Sequence, residues 1–448
     1  MNLKLNKKFI EELEGLIKER RDDRIKNKLI SFFPQDIAEI ISLIEFEKGE
    51  YLLKLFNERT AEILIELDEI TRKKIITNLR PKTIANDIIL KLETDDATDL
   101  IQEMPSSIQA EVLSHLKNKK YSKDLVDLLS YESRSAGALM AKELIKVKKN
   151  WSVLRCLVEM RKQAKGLEKV YTIYVIDDDE KLLGTVSLKT LLLANEKISI
   201  EQIYKKKIIF VQTNTTDEEV SSIMNKYDLV VLPVINNFGK LVGIITIDDV
   251  VDFIKEEAEK EYQIASGILE KIESNDNLFT LIKARIPWLI IGLFGGIIGA
   301  KIVGLFISND NDIEIAFVPL IAAMAGNIGI QSSALMVQDL ANKKNIVSWK
   351  KKFFKELFVA LFNGLICGII IFLFCSYFYD NINYYFPLKI SISLVVVMIY
   401  AALFGNFIPL FFHKININPA LATGPFITTT NDVVGLFIYF VICNYIFL

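Results

Sequence analysis

The chain has 448 residues, room for several domains, and 51% of them are hydrophobic. Its 54 Lys and Arg nearly balance 56 Asp and Glu, and the net charge of −2 leaves no electrostatic footprint for nucleic acid. Four cysteines (Cys156, Cys367, Cys375, Cys443) without CxxC spacing and two histidines (His115, His413) argue against a zinc or copper site, so metal chemistry must use oxygen donors, which favours Mg²⁺, Ca²⁺ or Mn²⁺. The start, MNLKLNKKFIEELEGLIKER, is charged and amphipathic and shows no cleavable signal pattern. Charged residues dominate to about Arg285; after Ile286 the chain is mostly apolar, with glycine punctuation. A soluble half is therefore followed by a membrane half.

Residues 1–130 are predicted to form an all-α N-domain. FFPQDIAEIISLIEF, TAEILIELDEITRKKIITNL, TIANDIILKLETDDATDLIQEM and SSIQAEVLSHL place apolar residues at three-to-four spacing, and Pro34, Pro81 and Pro105 fall near helix starts. Short helices with short turns suggest a stacked array. Acids cluster at Asp95, Asp96 and Asp99.

An internal repeat follows. YVIDDDEKLLGTVSLKTLL from Tyr174 aligns without a gap on PVINNFGKLVGIITIDDVV from Pro233, pairing Val175, Ile176, Lys181 and Gly184 with Val234, Ile235, Lys240 and Gly243. Each copy reads strand, polar turn, strand, helix, and is preceded by a helix-like stretch, SVLRCLVEMRKQA or TDEEVSSIMNKYD. The repeat resembles a tandem pair of α/β CBS domains, over residues 139–198 and 199–257. A charged connecting helix is expected over 258–280.

Residues 281–448 are expected to form an α-helical transmembrane domain of five spans, at 286–307, 315–337, 357–378, 388–412 and 420–447, each long enough for a bilayer core of ~20 residues. Lys343, Lys344, Lys350, Lys351 and Lys352 crowd the loop after the second span, whereas the loop before it carries Asp310, Asp312 and Glu314. The positive-inside rule then places the soluble half in the cytoplasm and the C-terminus outside. Polar residues interrupt three spans: AGNIGIQSSALM in the second, FGNFIP in the fourth and NPALATGPFITTTND in the fifth. A carboxylate such as Asp432, on the last span, costs roughly 2.5–3.5 kcal/mol in hydrocarbon, so it is expected to face water, an ion or a partner. Backbone carbonyls freed by Gly and Pro, plus one carboxylate, suit a hard, hydrated cation.

The paired repeat, GNIGIQ and TTTNDVVGLFIYF together resemble the MgtE family of magnesium channels and transporters, nearly end to end. The resemblance implies a homodimer in the cell membrane with an ion path on its two-fold axis, admitting Mg²⁺ and closing when cytosolic Mg²⁺ is plentiful. It places the ion-selecting aspartate on Asp432 and the ion path near Gly326, Asn327, Gln331, Thr428 and Asn431. It implies regulatory Mg²⁺ at Asp95, Asp96, Asp99, Asp228, Asp248, Asp249, Asp252, Glu256, Glu257, Glu259 and Glu261. GIITIDD resembles the ribose-binding motif of nucleotide-binding CBS domains, which makes Thr246 and Asp249 candidate ATP contacts. Two positions depart from the family pattern: Asn418 stands in NPA where DPA is usual, and Lys260 is a base where an acid is common. No Walker lysine loop or nucleophile constellation appears, so no enzymatic activity is expected. The alternatives are transport of another divalent cation, Co²⁺ or Mn²⁺, and a membrane-tethered CBS sensor without flux.

Overall fold

A computed structural model describes residues 7–167, 169–269, 272, 276–306, 312–341, 349–379 and 385–446. Lys343, Lys344 and Asp310, and the side chains of Asp312 and Lys350, lie outside the described residues. The chain forms two compact units, Met1–Ile254 and Lys255–Leu448.

The first unit opens with helices α1 (Lys7–Lys18), α2 (Asp22–Leu29), α3 (Pro34–Leu43), α4 (Phe46–Leu55), α5 (Thr60–Ile65) and α6 (Glu69–Thr77). A tight segment of helical turns, 81–91, leads to α7 (Thr94–Gln102), α8 (Ser106–His115) and α9 (Lys119–Leu128). Their apolar stripes meet in one core around Leu13, Ile25, Ile37, Leu52, Ile63, Ile84 and Ile101. Two stretches that periodicity alone reads as single helices are broken. Asp68 accepts from Thr71 N–H and restarts the chain as α6, an N-cap that outweighs the continuing pattern. The segment before α7 tightens into a π turn, Ile84–Ile88, and a 3₁₀ turn, Ile89–Lys91. The Tyr121 hydroxyl lies 2.8 Å from both the Ile89 and Leu92 carbonyls and holds that turn.

The repeat builds two three-stranded sheets. β1 (Ile145–Lys148) pairs in parallel with β2 (Ile173–Ile176), which pairs antiparallel with β3 (Leu182–Val186); β4 (Val211–Gln212), β5 (Val231–Ile235) and β6 (Leu241–Thr246) repeat the pattern. The helices between them are α10 (Val153–Gln163), α11 (Leu188–Leu193) and α12 (Asp217–Tyr227). The caps repeat too: Ser152 and Thr216 each accept the N–H three residues on. Glu180 and Gly239 occupy equivalent turn tips with φ of 66° and 78°. The tips exchange backbone bonds, Leu182 N–H to Gly239 O and Leu241 N–H to Glu180 O, both 3.1 Å, and this stitches the repeats together. The aligned glycines are needed for close approach: a Cβ at Gly184 would overlap the Lys205 carbonyl, and one at Gly243 would lie 2.6 Å from Met140 Sδ.

From β6 the chain enters α13 (Ile247–Ala265), which runs into the second unit. This helix begins directly after β6, ahead of the expected 258–280, and it ends before residue 280 because Gly267 at φ 84° turns the chain. Five long apolar helices follow, all able by length and composition to cross a membrane: α14 (Leu278–Phe306), α15 (Val318–Ala341), α16 (Trp349–Phe378), α17 (Phe386–Lys414) and α18 (Gly424–Val441). α15, α16, α17 and α18 share a core that includes Ile321, Ala325, Ala360, Val397, Ala401 and Tyr439. Cys375 and Cys443 are buried in it as small apolar groups. Glu314 is buried at 7% exposure, its carboxylate 3.9 Å from Lys389 Nζ and its carbonyl accepting from Tyr439 Oη at 2.7 Å.

Candidate functional site

The first unit gathers carboxylates around the start of α7. Asp95 is 9% exposed, Asp96 is half-buried, and both lie in the field of Asp249 on α13. Glu143 adds its charge at Asp95, while Asp99, Glu93 and Glu66 add theirs at Asp96. Burial, reinforced by the neighbouring charges, holds the Asp95 carboxyl well above its ordinary range and pushes Asp96 up to about 7. Asp249 is raised by burial too, although a hydrogen bond from Thr246 works against the rise. Thr94 fixes the geometry. Its Oγ1 donates to Glu143 Oε2 at 2.6 Å and accepts from Lys142 N–H at 2.8 Å. Among the described residues no three carboxylate, thiol or imidazole groups converge closely enough to grip a bare ion.

The other predicted acids are placed differently. Asp248 and Asp252 are exposed, their charges still felt at Asp249, and Asp248 sits 3.9 Å from Lys169. Asp228 closes α12 in the left-handed conformation at φ 50° and is exposed, as a turn residue would be. Glu256, Glu257, Glu259 and Glu261 lie on the part of α13 that belongs to the second unit, with Glu257 accepting from Lys260 at 3.1 Å. The nucleotide-like motif closes on itself: at the start of α13, Thr246 donates its hydroxyl to Asp249 Oδ2 at 2.5 Å and its backbone N–H to the same oxygen at 3.4 Å. Beside it, between Glu143, Lys169, Tyr171, Tyr174 and Ile244, is a crevice of about 10 Å³, too small for a base or a ribose. The buried Tyr174 hydroxyl has no partner among the described residues.

In the second unit, α15 distributes its polar residues between packing and exposure. Ser332 donates to Glu356 on α16, and Ser333 donates to the Ala422 carbonyl at 2.7 Å. Gly326 is buried beside Thr428, and Gly329 is buried against Asn431 and the backbone near Gly405. Asn327 and Gln331, one turn apart, lie instead on the exposed face. On α18, Thr428 and Thr430 donate to carbonyls of their own helix, and Thr429 packs on Gly295. Asn431 is 0% exposed and so lies inside the helix packing, off the exposed face. Asp432, the next residue, is half-buried. Among the described residues, the side chains of Asp432, Asn327 and Gln331 have no hydrogen-bond or ion-pair partner. Asn418 caps the 3₁₀ turn Pro419–Ala422, accepting from Ala420 N–H at 2.9 Å. Its amide oxygen thus makes the capping bond that an aspartate would make there.

Two neighbours of the candidate residues were not singled out in the sequence. Glu143, in the unremarkable stretch AKELIKV, joins the acids only through the fold. Gln338 continues the exposed face of α15 two turns beyond Gln331, and its signal was the same helical spacing.

Segments of the chain match known families: residues 32–134 the MgtE intracellular N domain, residues 136–197 and 200–256 the CBS domain, and residues 318–442 MgtE, described as a divalent cation transporter. The chain is similar to the magnesium transporter MgtE of Thermus thermophilus, 30% identical over 445 residues that cover 97% of this chain and 98% of that protein. It is 31% identical to the magnesium transporter MgtE of Enterococcus faecalis, over 89% of this chain and 93% of the relative. Among solved structures, the cytosolic domain of the Mg²⁺ channel MgtE in complex with ATP matches 55% of this chain and 99% of its own length, at TM-score 0.51 and 30% identity.

Proposed function

This chain belongs to the MgtE family of divalent cation transporters, and from that premise we propose that it is a homodimeric Mg²⁺ channel or transporter, closed by cytosolic Mg²⁺. The observation that carries the reading is Asp432: a half-buried carboxylate in the last membrane helix with no partner among the described residues. Two copies related by a two-fold axis bring two such carboxylates together. They hold a hydrated Mg²⁺ through its waters, which the ion gives up reluctantly, and disfavour monovalent ions by charge. Asn327 and Gln331 support the same arrangement. An exposed carboxamide pair on a membrane helix must meet water or protein, because lipid offers it no partner.

Gating is assigned to the acid cluster. Asp95, Asp96 and Asp249 repel one another wherever they are ionised, which is one reason that their carboxyls hold protons, and Asp99, Asp248, Asp252, Glu93 and Glu143 raise the local negative potential. A hydrated Mg²⁺ among them offsets that repulsion and favours the compact arrangement, and its loss favours separation. Acids that form no chelating group among the described residues suit an ion that keeps its water shell. Glu256, Glu257, Glu259 and Glu261 supply further negative charge on the helix that enters the membrane unit. The soluble part lies in the cytoplasm and the C-terminus outside, as the loop lysines imply. ATP binding at Thr246 and Asp249 requires the crevice beside Tyr174 to widen and the Thr246–Asp249 bond to yield.

The test is Mg²⁺ influx into proteoliposomes, read with an internal dye, for wild type and Asp432→Ala at matched reconstitution. Influx that is lost in the variant supports the reading. Equal influx in both removes Asp432 from the ion path. Influx of Co²⁺ or Mn²⁺ without Mg²⁺ reassigns the cargo, and no influx at low Mg²⁺ on the cytoplasmic face points to a CBS-based sensor.

A further inference from the structure

Along α18, residues 427, 431 and 435 recur every four positions and face α15. Ile427 and Asn431 are both 0% exposed. The Asn431 side chain reaches across the helix interface, where Nδ2 donates to the Ala325 carbonyl at 3.2 Å. Gly329, one turn along α15, makes the reach possible: a Cβ there would overlap Nδ2 of Asn431. A Cβ on Gly435 would meet the Ala325 Cβ in ordinary contact at 3.5 Å and would lie 3.2 Å from Val397 Cγ1 on α17. Asp432 is the residue after Asn431 and so points about 100° away around the helix axis.

We propose that Asn431 is a positioning residue: its carboxamide, seated over Gly329 and bonded to Ala325, sets the rotation of α18 and thereby the direction in which Asp432 is presented. The proposal rests on the transport reading above and adds a residue that does not itself touch the ion. Apolar packing between helices is non-directional, whereas a hydrogen bond to one named carbonyl selects one azimuth. The other end of the amide argues that packing is not its purpose. Asn431 Oδ1 is buried with no partner among the described residues, and an unpaired buried acceptor destabilises the fold. A leucine would fill similar space without that penalty, but it would leave the helix free to turn.

The experiment uses the full chain in proteoliposomes. Mg²⁺ influx and Na⁺ leak are measured side by side for wild type, Asn431→Ala, Gly329→Ala and the double variant, with thermal unfolding recorded for each. Asn431→Ala is expected to lower the ratio of Mg²⁺ to Na⁺ permeation about tenfold, the size of one interhelical hydrogen bond within a membrane. Gly329→Ala alone is expected to lose thermal stability, because its methyl group meets the amide. The double variant should regain part of that stability, since its methyl no longer meets the amide but still lies 2.7 Å from Ile427 Cγ2, and it should not regain the ion ratio. Recovery of both would overturn the proposal, since packing alone would then explain the contact, as would an unchanged ratio in Asn431→Ala. If Asn431→Ala does not yield folded protein, Asn431→Leu, which keeps the volume, is read in its place with the same expected loss of ratio. A second readout is independent of flux: the rate at which a water-soluble thiosulfonate modifies Asp432→Cys. That rate should change when Asn431→Ala is added, and an unchanged rate counts against the positioning role even if the wild type proves to carry no Mg²⁺.

Discussion

Replacing Asp96 with asparagine tests the acid cluster most directly, because it keeps the shape of the side chain and removes its charge. Burial and the surrounding acids raise the Asp96 carboxyl from 3.8 to about 7. That rise disfavours the ionised form in the folded state by about 4 kcal/mol at high pH. The sign follows from proton linkage. Between 3.8 and about 7 the folded state binds more protons than the unfolded one, so stability falls as pH rises through this window and is regained on acidification. From about pH 8 down to about pH 6, Asp96 alone should return about 1.4 kcal/mol to the Mg²⁺-free fold, and Asp95 and Asp249, both raised, act in the same direction.

Mg²⁺ competes with those protons. Near pH 7 the Asp96 carboxyl is about half protonated, so binding a cation there expels about half a proton from this group. The assay is titration calorimetry of the full-length protein with Mg²⁺, in two buffers of different ionisation enthalpy, which counts the protons released. Wild type should release protons, Asp96→Asn should release about half a proton fewer, and wild-type affinity should fall between about pH 8 and about pH 6. Equal proton release in wild type and variant, or affinity that rises on acidification, would refute the assignment of Asp96 to the sensor.

Thr94→Ala removes a buried hydroxyl that joins α7 to Glu143 and Lys142 N–H, and should destabilise the first unit by about 1–3 kcal/mol, read as an earlier thermal transition. Gly405→Ala places a methyl group against the Gly329 carbonyl and should cost about 1–3 kcal/mol by overpacking α15 against α17, lowering the melting temperature in detergent and abolishing Mg²⁺ influx. Asp228→Gly relieves a left-handed residue and should leave stability within about 1 kcal/mol of wild type or slightly above it; an unchanged Mg²⁺ response of influx in the same variant would remove Asp228 from the sensor.

The CBS pair was legible because its evidence is local. A gapless repeat dictates equivalent strands, equivalent caps at Ser152 and Thr216, and equivalent glycines at 184 and 243. Five membrane helices were legible from length and hydropathy alone. Helix ends were harder to place. Asp68 breaks a continuous apolar pattern by capping, and Gly267 stops the charged helix at Ala265, although the Ser-Gly pair there is a recognisable stop signal. Long-range pairings could not be read at all. Nothing in AKELIKV indicates that Glu143 meets Thr94, and nothing in GNIGIQSS tells which serine seeks Glu356 and which the Ala422 carbonyl. Those pairings arise when distant segments pack, and sequence spacing carries no record of it.

In a membrane helix, residue type is therefore a weaker guide to function than the partner each polar group finds. Ser332, Ser333, Thr428, Thr430 and Asn418 are all polar, and each is bonded within its own chain. Their polarity is accounted for by folding, because hydrocarbon leaves no other source of hydrogen bonds. Asp432, Asn327 and Gln331 have no such partner among the described residues, and water, an ion or a second copy of the chain would each satisfy them. A membrane-spanning dimer with a water-filled axis supplies all three at once, whereas a closed single-chain bundle supplies none. Asn431 divides the same way within one side chain. Its amide nitrogen is used in folding and its oxygen is not, which fits a residue that holds the helix carrying Asp432 in a set orientation rather than one that merely fills the core.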